Sequence, residues 1–350
     1  MDSASVRPLA NSIALKRLTF GKTTYFELFW IIVGGLPLYL PLVMSLGERG
    51  AGANQPIAWA FWANMIVSMP HTWATYARLT RKIGENKVKW YYGFPAYALI
   101  LAFLCFATVK GFFVEAFTLV NVWQSYHYLR QVYGVSRYFG RSKAESELSQ
   151  KLSFWGYHLP IPLFVLGRWD LLYTVWRGKP SEYIIPLNIP DPILTFSWIL
   201  AACGLVSAIA SEVIKYRNSD QDYDATGLLN LVMYYFIHWF GFLSAQYYAR
   251  GFLTITVFHA IQYVGIVFLL EEKQTSSLNF PTRRLLALVP HGLTFLAFWV
   301  FLFLIGEGIQ DYIFTAPNIF WAQFSATCLS SISAHHYLVD SVMWNRKSGV

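Results

Sequence analysis

Residues 193–209 read ILTFSWILAACGLVSAI, an apolar run without a single charge. Comparable runs lie at 29–46, 96–109 and 293–305, with short polar segments between them. Such runs are typical of helices that cross a bilayer, which need roughly 20 mostly apolar residues. A membrane β-barrel would instead show alternating segments of about ten residues. The pattern predicts an all-α, polytopic transmembrane helix bundle.

The composition supports this fold class. Of the 350 residues, 55% are hydrophobic and 13% are charged, whereas soluble domains carry roughly 25% charged residues. We expect a single transmembrane domain at 26–344, between cytoplasmic segments at 1–25 and 345–350. About ten spans fit the hydropathy pattern. They are predicted at 26–46, 57–77, 91–110, 112–134, 153–176, 193–214, 228–248, 253–270, 285–306 and 317–344.

The basic residues predict the orientation, because Lys and Arg accumulate in short cytoplasmic loops. Most of the 27 Lys and Arg residues fall before the first span, after the last, or in alternate loops such as those at Arg81, Lys143 and Lys273. Both termini are therefore predicted to be cytoplasmic, in a bacterial inner membrane. The net charge of +8 suits loops that face anionic membrane lipids. The lack of a compact basic patch with interleaved aromatics speaks against nucleic acid as a partner.

All eight histidines fall within predicted spans. Counting ~1.5 Å per residue from the nearest inner boundary places each of them in the cytoplasmic half of the bilayer. Ionisable residues inside membrane helices are functional candidates by default. Four histidines lie on spans predicted to run in one direction: His71, His127, His259 and His336. Each is followed by a polar side chain three or four residues later, on the same helix face: Thr75, Gln131, Gln262 and Asp340, respectively.

These four histidines are predicted to share one metal ion, because imidazole is a common metal ligand and carboxylate beside several imidazoles suits non-haem iron. Asp340 is the candidate catalytic residue, as a ligand or as the group that orients His336. Gln131 and Gln262 are expected to accept the second ring N–H of ligand histidines, as outer partners usually do.

The remaining histidines have less specific interpretations. His335 points about 100° away from His336 on an ideal helix, so it either completes the metal site or packs. His158, His238 and His291 are predicted to be hydrogen-bonded contacts between helices.

Four short motifs resemble the Brp/Blh-type membrane carotenoid 15,15'-dioxygenases and related multi-pass, histidine-rich bacterial membrane proteins. The motifs are His71-Thr72-Trp73, Trp123-Gln124-Ser125-Tyr126-His127, Phe258-His259-Ala260-Ile261-Gln262-Tyr263 and His335-His336-Tyr337-Leu338-Val339-Asp340. The resemblance implies a membrane-embedded enzyme that binds iron through histidines and cleaves a polyene with dioxygen. The HxxxH and HxxHH boxes of membrane desaturases are absent from the sequence.

The sequence therefore predicts an intramembrane non-haem iron oxygenase that acts on an apolar lipid or carotenoid-like substrate. One alternative is a haem-binding electron carrier, since two histidines on facing helices can be axial ligands. Another is a transporter that relays protons through its histidines. No nucleotide-binding fingerprint is apparent, which disfavours an ATP-driven pump.

Overall fold

The structure is a computed structural model, and it is mostly helical. It describes residues 18–19, 24–25, 27–45, 69–139, 145–175, 182–219, 223–243, 248–275 and 318–343. Within these ranges there are ten α-helices. They are α1 (Leu36–Ser45), α2 (Met69–Gly84), α3 (Phe94–Val109), α4 (Phe113–Phe139), α5 (Glu147–His158), α6 (Ile161–Val175), α7 (Asp191–Asn218), α8 (Thr226–His238), α9 (Tyr248–Thr275) and α10 (Ile319–Met343).

Short elements extend or connect these helices. A π-helix at Glu27–Ile32 precedes α1, a 3-10 turn at Trp90–Tyr92 precedes α3, and a π-helix at Trp239–Leu243 follows α8. The strands β1 (Leu18–Thr19) and β2 (Tyr223–Asp224) pair in parallel. They are the one departure from an all-α fold in the described part of the chain.

Among the described residues, three helical segments are long and apolar enough to cross a membrane: Trp90–Val109, Asp191–Asn218 and Thr226–Leu243. The first of them exposes a row of large apolar side chains, with Leu99 72%, Phe103 61% and Phe106 62% exposed. Such a surface is suited to lipid rather than water. The chain therefore has the character of a membrane protein, while the number of spans and the cytoplasmic orientation of its termini stay predictions.

Two predicted spans are interrupted. The span at 26–46 bends at Gly34 and Gly35, whose φ angles of 59° and 63° lie in the left-handed region that favours glycine. The span at 153–176 is two helices, α5 and α6. They meet at Leu159 and Pro160, because proline lacks the amide proton that a continuous helix would use.

Four helices surround the candidate site. Helix α10 packs against both α2 and α4, and α9 packs against the same two helices. The central apolar cluster beside them includes Leu129, Tyr234 and Phe258. This packing places one face of each of the four helices toward a common interior.

Some predicted features lie outside the described residues. They are residues 57–68 of the second predicted span, the span at 285–306 with His291, the tail at 345–350 and most of the N-terminal segment at 1–25.

Candidate metal centre

Four histidines from four helices meet in the interior of the bundle. They are His71 on α2, His127 on α4, His259 on α9 and His336 on α10. Each histidine offers one ring nitrogen as a ligand atom, and these four nitrogens all lie within 4.8 Å of one another. All four side chains are buried. This group could hold a metal ion, as the sequence predicted for the same four residues.

The rings are arranged edge to face around a common centre. The His71 ring lies 4.6 Å from that of His259 and 4.4 Å from that of His336. The His127 ring lies 4.9 Å from the His259 ring and 5.1 Å from the His336 ring. His71 and His127 are farther apart, at 6.3 Å. His259 and His336 thus each lie next to both of the other rings, and all four rings border one small space.

The ring nitrogens have little else to bind. Nε2 of His71 and His127 and both ring nitrogens of His259 and His336 are buried without a hydrogen-bond partner in the described structure. A buried polar atom without a partner costs roughly 1–3 kcal/mol. Several such atoms in one place are therefore expensive unless a ligand satisfies them, and a metal ion would satisfy one nitrogen of each ring.

Asp340 on α10 lies beside two of the four histidines. Its Oδ2 lies 3.6 Å from Nε2 of His127 and 3.6 Å from Nε2 of His336. Two ligands bound at ~2.1 Å with a tetrahedral angle are about 3.4 Å apart. The carboxylate and these two imidazoles are therefore spaced almost as joint ligands would be, and small side-chain movements would complete the coordination.

The other carboxylate oxygen is held by hydroxyl groups. Asp340 Oδ1 accepts hydrogen bonds from the Tyr263 hydroxyl at 2.8 Å and from Thr75 Oγ1 at 3.2 Å. Thr75 Oγ1 is also 2.7 Å from the Tyr263 hydroxyl. Both residues are fully buried. These bonds fix the carboxylate with Oδ2 directed toward the histidines.

Tyr263 was not singled out from the sequence, although a signal for it existed. It follows His259 by four residues, which is the spacing of His71 and Thr75 and of His336 and Asp340. The sequence pattern instead indicated Gln262, which follows His259 by three residues. The buried Arg78 on α2 was also not predicted, because it directly follows the predicted span at 57–77. It interacts electrostatically with Asp340 and Tyr263.

The two glutamines lie beside the site but do not have the expected partners. The Gln131 amide nitrogen donates to the backbone carbonyl of His259 at 2.9 Å and to Gln262 Oε1 at 3.2 Å. The Gln262 amide nitrogen donates to the carbonyl of Ile31 at 2.9 Å. Neither amide is bonded to an imidazole nitrogen in the described structure. They connect α4, α9 and the first π-helix through backbone carbonyls.

His335 is not part of the group, which corrects its inclusion among the expected ligands. Its Nδ1 is 3.1 Å from the Tyr76 hydroxyl, and its Nε2 is 2.9 Å from the carbonyl of Tyr92. The 100° rotation between successive helical residues turns it away from the site that His336 enters. His335 therefore packs α10 against α2 and the 3-10 turn.

Two further histidines bond to a carbonyl of their own helix, and not to a neighbouring helix as predicted for them. His158 Nδ1 lies 2.7 Å from the carbonyl of Phe154, whose ring it stacks on at 3.9 Å. His238 Nδ1 lies 2.7 Å from the carbonyl of Tyr234.

Aromatic side chains cover the group of four histidines. The Tyr128 ring lies 4.2 Å from that of His259, and the Tyr337 ring lies 4.7 Å from that of His127. Both tyrosines are buried. They limit the positions that the ligand rings can adopt and shield them from solvent.

Comparison with protein-family models, curated proteins and solved structures finds no significant match to this chain. The functional interpretation therefore depends on the geometry of the site.

Proposed function

We propose that this protein is an intramembrane non-haem iron oxygenase that acts on an apolar lipid or carotenoid-like substrate. The observation that supports it is the convergence of four buried imidazoles with the Asp340 carboxylate, which lies 3.6 Å from two of them. Nitrogen ligands with a single carboxylate suit non-haem iron. Iron bound there would supply the activation of dioxygen.

The crowding of the histidines favours an isolated ion over haem. A haem with two axial histidines needs a wide, flat space between the facing rings. The rings of His259 and His336 each lie within 5.1 Å of the rings of both His71 and His127. A macrocycle would have to displace both of these side chains.

The surroundings of the site support an apolar substrate. The four ligand histidines are buried in a bundle whose exposed helices present large apolar side chains, as Leu99, Phe103 and Phe106 do. Such a surface would place the protein in the same apolar phase as a lipid-soluble substrate. The motif resemblance to the carotenoid dioxygenases supports the same substrate class, and cleavage of a polyene is the specific reaction that it suggests.

The chain's own residues would have distinct roles in this chemistry. The four histidines and Asp340 would bind the ion, and Tyr263 and Thr75 would orient the Asp340 carboxylate through Oδ1. Tyr128 and Tyr337 would exclude water from the ligand rings, which strengthens electrostatic interactions within the site.

The test is metal analysis of the purified protein, together with an optical spectrum and an assay of oxygen-dependent conversion of β-carotene. We expect bound iron, no haem absorption band and oxygen consumption that depends on iron. An intense haem spectrum would support the electron carrier instead. Metal-free protein that moves protons across sealed vesicles would support the transporter.

A further inference from the structure

A cleft of about 520 Å³ lies between α4 and α5, and we call it the α4–α5 cleft. Helix α4 lines it with Tyr133 and Arg137, which are one turn apart. Helix α5 lines it with five side chains from one side of the helix: Glu147, Gln150, Lys151, Phe154 and Trp155. Ligand-binding clefts usually enclose roughly 300–1,000 Å³. The α4–α5 cleft therefore has room for a small molecule or a lipid headgroup.

Charged side chains form one end of the cleft. Lys151 Nζ lies 2.6 Å from Glu147 Oε1, and the two side chains are 68% and 82% exposed. Arg137 Nη1 lies 3.3 Å from a carboxylate oxygen of Glu145. Two cations thus face two carboxylates, so this end has no net charge. Ion pairs as exposed as that of Lys151 and Glu147 contribute little to stability, and both groups can therefore exchange partners with a ligand at little cost.

Aromatic side chains form the other end of the cleft. Phe154 and Trp155 follow Lys151 by three and four residues, and both are exposed. The Tyr133 ring on α4 lies 5.9 Å from the Phe154 ring on α5. Exposed apolar side chains that adjoin polar ones mark sites of contact with ligands, proteins or lipid. The cleft thus changes from charged to apolar along its length.

The contacts between α5 and α7 give the direction of this change relative to the membrane. Helix α7 is long and apolar enough to cross a membrane, and its last turn is basic and includes Lys215. Ser149 Oγ lies 3.0 Å from Ser211 Oγ near that basic end. Gly156 lies against Ala208, where an added Cβ would be 2.7 Å from the Ala208 Cβ. Helix α5 therefore runs from the basic end of α7 toward its middle, and the aromatic end of the cleft lies deeper than the charged end.

We propose that the α4–α5 cleft binds phosphatidylethanolamine, a phospholipid whose headgroup carries a phosphate and an ammonium group. The phosphate would accept hydrogen bonds from Lys151 and Arg137, and the ammonium group would donate to Glu147. The beginning of an acyl chain would lie along Phe154 and Trp155. A headgroup with both charges matches a cleft end with both charges, whereas a purely anionic headgroup would leave Glu147 facing a negative charge.

This inference goes beyond the proposed function, because the cleft residues are separate from the four histidines and Asp340. It also predicts a preference among lipids. An ammonium group has three N–H donors, whereas the trimethylammonium group of phosphatidylcholine has none. Phosphatidylglycerol has the same phosphate and no cation. These three lipids are therefore matched probes for the contact with Glu147.

The test is titration of the delipidated full chain in detergent with the dioleoyl form of each lipid, with bound lipid counted by native mass spectrometry. We expect phosphatidylethanolamine to bind roughly fivefold more tightly than phosphatidylcholine, which is the upper end of what an exposed charged pair contributes. Phosphatidylglycerol should bind no more tightly than phosphatidylcholine.

Two variants assign these contacts to the cleft. Glu147→Gln should bind phosphatidylethanolamine and phosphatidylcholine equally, because it removes the acceptor for the ammonium group. Lys151→Gln should weaken the binding of all three lipids, because they share the phosphate. Glu85→Gln is the matched control and should keep the wild-type preference, since Glu85 pairs with Lys87 at 2.8 Å and is not among the residues that line the cleft. The three replaced side chains lie at the surface, where substitutions have small effects on folding.

Several outcomes would overturn the inference. One is equal affinity of the wild-type protein for phosphatidylethanolamine and phosphatidylcholine, and another is an undiminished preference in Glu147→Gln. Tighter binding of phosphatidylglycerol than of phosphatidylethanolamine would show a site for anionic lipid instead. Unchanged affinity of Lys151→Gln for all three lipids would refute the placement of the headgroup in the cleft.

Discussion

Tyr263→Phe removes one hydroxyl and tests whether the Asp340 carboxylate belongs to the metal site. The lost hydrogen bond to Asp340 Oδ1 is 2.8 Å long and fully buried, and Thr75 is left as the remaining hydroxyl donor at 3.2 Å. A hydrogen bond to a charged group contributes about 1.5–3 kcal/mol. Since 1.4 kcal/mol is a factor of ten in an equilibrium constant, we expect iron affinity to fall roughly 10- to 100-fold.

The assay is competitive Fe(II) titration of the folded variant against a chelator of known affinity. The control is Tyr235→Phe, which removes a hydroxyl that donates to the Gly156 carbonyl at 2.8 Å on another face of the bundle. This control should lose about 1 kcal/mol of stability and keep its iron affinity. Wild-type affinity in Tyr263→Phe would refute the claim that the tyrosine positions a metal-binding carboxylate.

Further predictions concern individual residues. Asp340→Asn should fold normally but bind less iron, measured as iron per folded protein; unchanged iron content and turnover would remove Asp340 from the site. His335→Ala should keep bound iron, whereas His336→Ala should lose it, and equal losses would restore His335 as a ligand. Gly156→Val should reduce the folded yield, because overpacking costs about 1–3 kcal/mol where a Cβ would meet Ala208; the fraction that folds should bind iron normally. A cysteine in place of Lys143 should resist an impermeant thiol reagent in intact cells, and labelling there would reverse the predicted orientation.

Long apolar runs and helix-face spacing were predictable from the sequence. The run at 96–109 lies within α3, and the run at 193–209 lies within α7, because continuous hydrophobicity requires no knowledge of neighbouring helices. The spacing of His336 and Asp340 likewise follows from helix geometry alone. The four histidines of the candidate metal centre were identified for this reason.

Features that depend on contacts between helices were harder to predict from the sequence. Gln131 has the spacing of an outer partner for His127, yet it donates to a carbonyl on α9, and only the packing of α4 against α9 determines that choice. Tyr263 reaches Asp340 across an interface between two helices that are far apart in sequence. Pro160 is visible in the sequence, but proline is tolerated in membrane helices. Its presence alone therefore did not predict that the span at 153–176 consists of two helices.

The central claim is that His71, His127, His259 and His336 bind one metal ion as a unit. The most direct measurement is iron per folded protein for each single His→Ala variant, the quadruple variant and His158→Ala as the control. Ligands of a shared ion are strongly non-additive. We predict that each of the four single variants loses iron about as completely as the quadruple variant, while His158→Ala keeps wild-type iron. Retention of iron in the four single variants would contradict the claim.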